Sequence, residues 1–250
     1  MGGGAGRLPK LARLITKAAV ILPFEEQLLR AHGIDATFVG HPLLDRAQEL
    51  PSVSAAREAL SLDPERPVLA LFPGSRAQEI HRHMVPFNAT ARALEARIPG
   101  LQVVVSVAPG LRLSPDDNAY RQISDASFTV LRAADASLCK SGTTTLEAAV
   151  AGCPLIVAYR TSRWTHAIAR RLVRIPRIGL VNIVADREVA REFVQDAVSP
   201  DAMADALRPL LTRGSEEREA VTRGLADVRA RLGEPGAARR VAAMASALVP

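Results

Sequence analysis

Two stretches of this chain carry the residue types that bind phosphate and sugar. Ser141-Gly142-Thr143-Thr144-Thr145-Leu146-Glu147 lies between an apolar run, Ala133 to Leu138, and an alanine-rich segment closed by Gly152. A strand, a hydroxyl-dense glycine turn and a helix start at one point aim backbone N–H groups and the positive end of a helix dipole at an anion. Glu147, one turn into that helix, can face the same crevice, where a carboxylate suits the vicinal hydroxyls of a ribose better than it suits a phosphate. Thr144 to Glu147 also fits a capping box, in which hydroxyl and carboxylate serve only the helix's own N–H groups. The second stretch is Pro73-Gly74-Ser75-Arg76 with Glu79, directly after the apolar run Val68 to Phe72. Glycine there admits a ligand to the backbone, Ser75 offers a hydroxyl, and Arg76 can grip a phosphate with two donors. The Gly-x-x-x-x-Gly-Lys pattern of a Walker loop is missing. An ordinary turn with a solvated arginine fits these residues too.

The elements that must position these loops alternate along the chain. A basic amphipathic helix is expected from Leu8 to Lys17, after a leader from Gly2 to Gly6. Ala18 to Leu22 reads as a buried strand, Glu25 to His32 as a helix stopped by Gly33, and Ala36 to Val39 as a strand running into Gly40-His41-Pro42. Two strands and one helix are too little for a domain, so this opening is expected to be the tail of something larger. Ser54 is expected to cap a helix over Ala55 to Leu60, and Asp45 to cap the segment after it. Val68 to Phe72 is apolar throughout, as a strand covered on both faces is. A long helix runs from Glu79 to about Arg97. Val103 to Val107, Ser127 to Leu131, Ala134 to Cys139, Leu155 to Ala158 and Ile178 to Val181 supply further short apolar segments, most of them followed by helical patterns, as candidates for the remaining strands. From Pro200 the chain is helical, through Leu211, from Glu216 to Leu232 and from Gly236 to Leu248. The alternation predicts an α/β fold, a Rossmann-like parallel sheet flanked by helices, with ligands at the carboxyl ends of its strands.

Composition narrows the partners without naming one. The 250 residues are 48% hydrophobic, and 32 Lys+Arg against 26 Asp+Glu give a net charge of +6. Phosphates, nucleic acid and an anionic membrane surface are all compatible with that charge. Aromatic residues make up only 4%, so no basic and aromatic interleaving of the kind that stacks single-stranded bases is present. With no recognised nucleic-acid module and dispersed arginines, no nucleic-acid partner is expected. Cys139 and Cys153 have no CxxC pattern and no histidine at ligand spacing, so neither metal nor disulfide framework is indicated. His81 and His83 look like a metal pair, but two residues apart on a helix they point to nearly opposite sides. Arg163, Arg170, Arg171, Arg174 and Arg177 surround Trp164, Ile168 and Leu172 in a stretch suited either to anionic headgroups or to core packing with solvated arginines.

Taken in order, Leu22-Pro23-Phe24-Glu25, Gly40-His41-Pro42, Phe72 to Arg76 with Glu79, Ser141-Gly142-Thr143 with Leu146-Glu147, Tyr159-Arg160, and Asn182 followed by Glu192 and Gln195 resemble the lipid-A-disaccharide synthases. The resemblance covers the chain from about Leu11 to Leu211. It implies a two-domain GT-B glycosyltransferase that joins UDP-2,3-diacylglucosamine to 2,3-diacylglucosamine 1-phosphate, releases UDP, inverts the anomeric centre and needs no metal or other cofactor. It also implies a cytoplasmic enzyme peripheral to the inner membrane, with a homodimer as its oligomeric state. Carried onto this sequence, Arg76 and the Ser141, Gly142, Thr143 turn would take the diphosphate of the UDP-sugar and Glu147 the ribose; Gly74, Ser75 and Glu79 would belong to the same UDP-sugar site, and Asn182 and Gln195 would line the crevice. Residues 1–45 would be a remnant of an amino-terminal acceptor-side domain, 46–214 the UDP-sugar-binding domain and 215–250 carboxyl-terminal helices.

The chain departs from the family pattern at Lys140, a cation that either assists the leaving diphosphate or reaches to solvent, and at Arg191, where relatives have proline. The family's glycine-rich acceptor-side loop and its acidic general base have no counterpart here, so the base is expected outside this chain. His41 is the one histidine placed to stand in, and a structural hydrogen bond would explain it as well. The competing identities are another UDP-N-acetylglucosamine-using GT-B enzyme and a non-catalytic UDP-sugar or membrane-binding fragment.

Overall fold

The computed structural model describes residues 8–114, 118–161 and 177–248. Helix α1 (Leu8–Ala12), strand β1 (Ala18–Val20), helix α2 (Pro23–Arg30) and strand β2 (Ala36–Phe38) open the chain. β1 and β2 pair in parallel, Ala18 opposite Ala36, as a two-stranded sheet with α2 as the crossover. α2 starts with Pro23 in its first turn, and the Glu25 carboxylate accepts the Leu22 N–H at 3.2 Å. α1 ends at Ala12 rather than Lys17. Leu14 is 72% exposed, so nothing covers the apolar face beyond that point, and a short helix without packing is not sustained.

Helix α3 (Leu43–Arg46), helix α4 (Val53–Ala59) and then a six-stranded sheet follow: β3 (Val68–Phe72), β4 (Gln102–Val107), β5 (Arg121–Ser124), β6 (Ala136–Lys140), β7 (Leu155–Tyr159) and β8 (Glu192–Val194). The spatial order is β5-β4-β3-β6-β7-β8, every pair parallel. The order reverses between β3 and β6, the switch point at which doubly wound sheets open a crevice. Among the described residues, the helices between and after the strands are α5 (Ala77–Glu95), α6 (Ser127–Ala133), α7 (Thr144–Ala151), α8 (Leu180–Ala185), α9 (Pro200–Leu211), α10 (Glu216–Arg231) and α11 (Ala237–Ser246).

Alternate residues of β3 enter opposite cores, which is why the strand is apolar at every position. Val68, Ala70 and Phe72 join α4, α6, α7 and α10, while Leu69 and Leu71 join α5 and α9. Leu43 and Leu44 of α3 and Leu225 and Val228 of α10 belong to the first of these cores. Beneath it, Arg57 and Asp135 form a buried ion pair at 2.7 Å, and Asp135 also accepts the Val68 N–H at 2.9 Å.

Several expectations are corrected. Ser127 to Leu131 and Ile178 to Val181 are not strands; they fall in α6 and at the start of α8. The edge strands come instead from Arg121-Gln122-Ile123-Ser124 and Glu192-Phe193-Val194, each burying one residue, Ile123 or Phe193. Such edges present no apolar run. Ser52, not Ser54, caps α4, accepting the Ala55 N–H at 3.1 Å. Asp45 does not cap the segment after it; its carboxylate accepts the N–H of Gly236 at the start of α11. That bond joins others between the same two regions: His41 N–H to the Leu232 carbonyl at 2.9 Å and Arg240 Nε to the Val39 carbonyl at 2.8 Å.

Candidate functional site

The loops after β3 and β6 flank the switch point and wall a single cavity of about 400 Å³, whose lining includes Gly74, Ser75, Gly142, Thr143 and Glu147. The first loop is shaped by Gly74. Its φ of +124° lies in glycine territory, and a Cβ there would sit 2.9 Å from both the Cβ and Oε2 of Glu79. Only glycine lets Glu79 fold back over the loop. There the carboxylate accepts from the Ser75 N–H at 3.4 Å, from Arg76 Nη1 at 3.1 Å and from Lys140 Nζ at 3.1 Å. Burial pushes the Glu79 pKa up, but Lys140, Ser75 and Arg76 outweigh it and the net direction is down.

In the second loop, α7 starts after Thr143, whose helical backbone makes no side-chain cap. The capping-box alternative is therefore not what is built. The Thr145 hydroxyl donates to the Gly142 carbonyl at 2.9 Å and accepts the Val181 N–H at 3.3 Å, bracing the turn. The Ser141 hydroxyl donates to the Ile178 carbonyl at 2.7 Å, so it fixes a neighbouring loop instead of facing the cavity. Thr143 and Thr144 line the cavity. Glu147 is largely buried and points to Arg46 at 3.5 Å, whose guanidinium also lies 5.0 Å over the Phe128 ring.

Arg76 does not share this cavity. Its side chain is 79% exposed and turns across Glu79 toward a second cavity of about 490 Å³. Lys140, placed between solvent and leaving group by sequence, does not reach into bulk water: it is 17% exposed, sits 5.8 Å over the Tyr159 ring and lines both cavities. Asn182 is buried inside the fold, not on the crevice wall. Its Nδ2 donates to the Ala190 carbonyl and Glu192, and its Oδ1 accepts the Val189 and Ala190 N–H groups. All its hydrogen-bonding capacity is spent on the α8 to β8 connection. Gln195 accepts the Thr161 N–H at 3.0 Å and so holds the exit of β7. Of the basic stretch between 163 and 177, residues 163–176 lie outside the described residues.

His83 is fully buried and accepts the Arg160 N–H on Nε2 at 3.0 Å, which leaves Nδ1 to donate to the Glu79 carbonyl at 2.7 Å. This arrangement requires the neutral ring, and burial, the largest influence, lowers its pKa from 6.5. His41 has a structural role, Nδ1 accepting the Leu43 N–H at 3.1 Å at the start of α3. Both cysteines are buried, with burial pushing the Cys153 thiol up to about 12.

Sequence reasoning missed Arg46 and the far end of the first cavity, formed by Val107, Ala108 and Pro109 after β4 and by Asp125, Ala126 and Ser127 before α6. Arg46 reaches Glu147 only because α3 packs on α7, a tertiary fact without a local pattern. The cavity thus has one end of glycine loops with Lys140 and Glu79, Glu147 at one side, and a far end of small side chains with the Asp125 carboxylate.

The chain matches the family model described as Lipid-A-disaccharide synthetase over residues 5–245. It is 39% identical to the lipid-A-disaccharide synthase of Trichlorobacter lovleyi over 253 residues, covering 98% of this chain and 65% of that protein. The corresponding figures for the synthase of Anaeromyxobacter sp. (strain K) are 42% over 245 residues, 95% and 63%. The chain therefore spans less than two thirds of these relatives' length. Among solved structures, UDP-GlcNAc 2-epimerase from Neisseria meningitidis bound to UDP-GlcNAc aligns with a TM-score of 0.62 at 12% identity, over 94% of this chain and 62% of that one. Sucrose-phosphate synthase from Thermosynechococcus elongatus aligns at 0.55 and 17%, over 97% and 61%. At those identities the likeness establishes the fold alone, the Rossmann-like α/β architecture of GT-B glycosyltransferases and epimerases. By its match along almost its whole length, the chain belongs to the lipid-A-disaccharide synthetase family.

Proposed function

We propose that this chain holds the UDP-sugar donor in a glycosyl transfer of lipid A biosynthesis. A hydroxyl of 2,3-diacylglucosamine 1-phosphate attacks the anomeric carbon of UDP-2,3-diacylglucosamine, giving the disaccharide 1-phosphate and UDP. The observation that carries this is the convergence of two glycine loops, Lys140 and Glu147 on one cavity at the sheet's switch point. Negative charge builds on the diphosphate as its bond to the anomeric carbon breaks, and preorganised positive groups stabilise it. Lys140 Nζ and the start of α7 are those groups. The incoming hydroxyl oxygen forms the new bond from the opposite face, which inverts the centre, and its proton passes to a base. Glu79, whose pKa is lowered by Lys140 and its neighbours despite burial, is a poor proton acceptor for that step. Within the proposal the base comes from the acceptor side.

The net charge of +6 supports work at an anionic membrane surface, and within the proposal the enzyme is cytoplasmic and peripheral at the inner membrane. Among the described residues no helix is long and apolar enough to cross a membrane. The homodimer stays part of the proposal and rests on the family likeness. Calorimetric titration with UDP, UMP and uridine tests the donor site. One UDP per chain is expected, UMP weaker and uridine weakest, with Lys140→Ala erasing most of the UDP advantage; equal affinities for UDP and UMP refute the diphosphate assignment.

A further inference from the structure

The second cavity shares only Glu79 and Lys140 with the first. It lies across the Glu79–Lys140 ion pair from the first, so the two are separated by one hydrogen-bonded contact of 3.1 Å. Arg76, Arg82, Lys140 and Arg160 line it against a single carboxylate, Glu79. That carboxylate is already taken by Lys140 and Arg76. Among the described residues no carboxylate pairs with Arg82 or Arg160. His83 adds no charge, because its Nε2 must accept the Arg160 N–H.

Like charges gathered in one concavity repel, and an anion is what relieves them. The walls are also fixed in advance: His83 holds the backbone of Arg160 at 3.0 Å, and Gln195 holds that of Thr161 at 3.0 Å. Guanidinium groups reaching in from such walls can match phosphate oxygens in pairs. Unlike the first cavity, this one has no spare carboxylate for a ribose and no opening between small apolar residues for a base. By its lining, not its size, it suits a dianion better than a nucleotide.

We infer, resting on the donor assignment of the first cavity, that the second is a separate site for a phosphomonoester, the 1-phosphate of the acceptor sugar. Arg82 and Arg160 grip the phosphate, and Glu79–Lys140 divides it from the donor diphosphate. The two anions then lie on either side of one ion pair, which orients the acceptor relative to the anomeric carbon and screens one phosphate from the other.

The test is a titration of glucosamine 1-phosphate into the 250-residue chain already saturated with UDP. One equivalent is expected to bind. The Arg82→Gln/Arg160→Gln double variant is expected to weaken it by about tenfold or more and to leave UDP affinity unchanged. Arg82→Lys, which keeps the charge, is expected to retain part of the binding and the wild-type fold by circular dichroism. Exclusion of the sugar phosphate by UDP would reduce the two cavities to one site and overturn the inference. So would undiminished binding in the double variant. Dihexanoyl phosphatidate offers the same dianion on a lipid and is expected to bind more weakly than the sugar phosphate; tighter binding would assign the site to a headgroup and overturn the acceptor role. If UDP fails to bind while the sugar phosphate binds through Arg82 and Arg160, the donor assignment falls and the second site stands.

Discussion

Replacing Glu147 by glutamine separates the ribose contact from the architecture around it. In the structure Glu147 is paired with Arg46 at 3.5 Å, and the Arg46 side chain is 60% exposed. A pair of that exposure contributes at most about 1 kcal/mol to stability. Glu147→Gln should therefore move the melting temperature by no more than about 2–4 °C in a chain of this size. Nucleotide affinity should respond far more. Two ribose hydroxyls donating to a carboxylate make charged hydrogen bonds, each worth about 1.5–3 kcal/mol, whereas a neutral amide oxygen gives about 0.5–1.5 kcal/mol. Allowing for one retained neutral bond, the net loss is about 2.5–4.5 kcal/mol, or roughly 70- to 2000-fold in Kd. Calorimetry with UDP and 2′-deoxy-UDP on both proteins closes a cycle that isolates the contact. Wild type should discriminate strongly between the two nucleotides, and the variant should barely do so. A change below about twofold in UDP affinity, or equal discrimination by both proteins, would remove Glu147 from the ribose.

Two further outcomes test the frame. Arg57→Met strands Asp135 in the core with only Arg218, 3.9 Å from its Oδ1, as a compensating charge; a loss of about 3–5 kcal/mol is expected, read as a lower urea midpoint, and a loss under about 1 kcal/mol contradicts the buried-pair account. Burial lowers the folded-state pKa of both His41 and His83. The unfolded chain therefore binds these protons first, and the stability contributed is complete above the ordinary value of 6.5 and declines as pH falls toward the folded pKa values. Urea midpoints should drop between about pH 7.5 and about pH 5.5, less so in His83→Gln. An equal drop in the variant refutes the role of His83.

The parallel α/β fold was legible because its central strands are buried on both faces and so read as unbroken apolar runs, as Val68 to Phe72 shows. The edge strands were not, since Arg121 to Ser124 and Glu192 to Val194 each bury a single side chain and their pairing is decided by neighbours. The glycine loops were visible from local chemistry. What each side chain does there was less so. Nothing local distinguishes the Ser141 hydroxyl, turned to the Ile178 carbonyl, from that of Thr143, and nothing local turns Arg76 away while bringing Arg46 in. Asn182 carries the same lesson: a polar residue followed by Glu192 suits a binding wall or a buried hydrogen-bond hub, and the register of β8 selects the hub.

The bonds from Asp45 to Gly236 and from Arg240 to Val39 bridge 191 and 201 positions of sequence. A ribosome makes their two halves far apart in time. α2 has no buried residue of its own, so the small β1–β2 sheet gains its clasp only after α11 has been synthesised. Closure over so long a loop is entropically costly and slow.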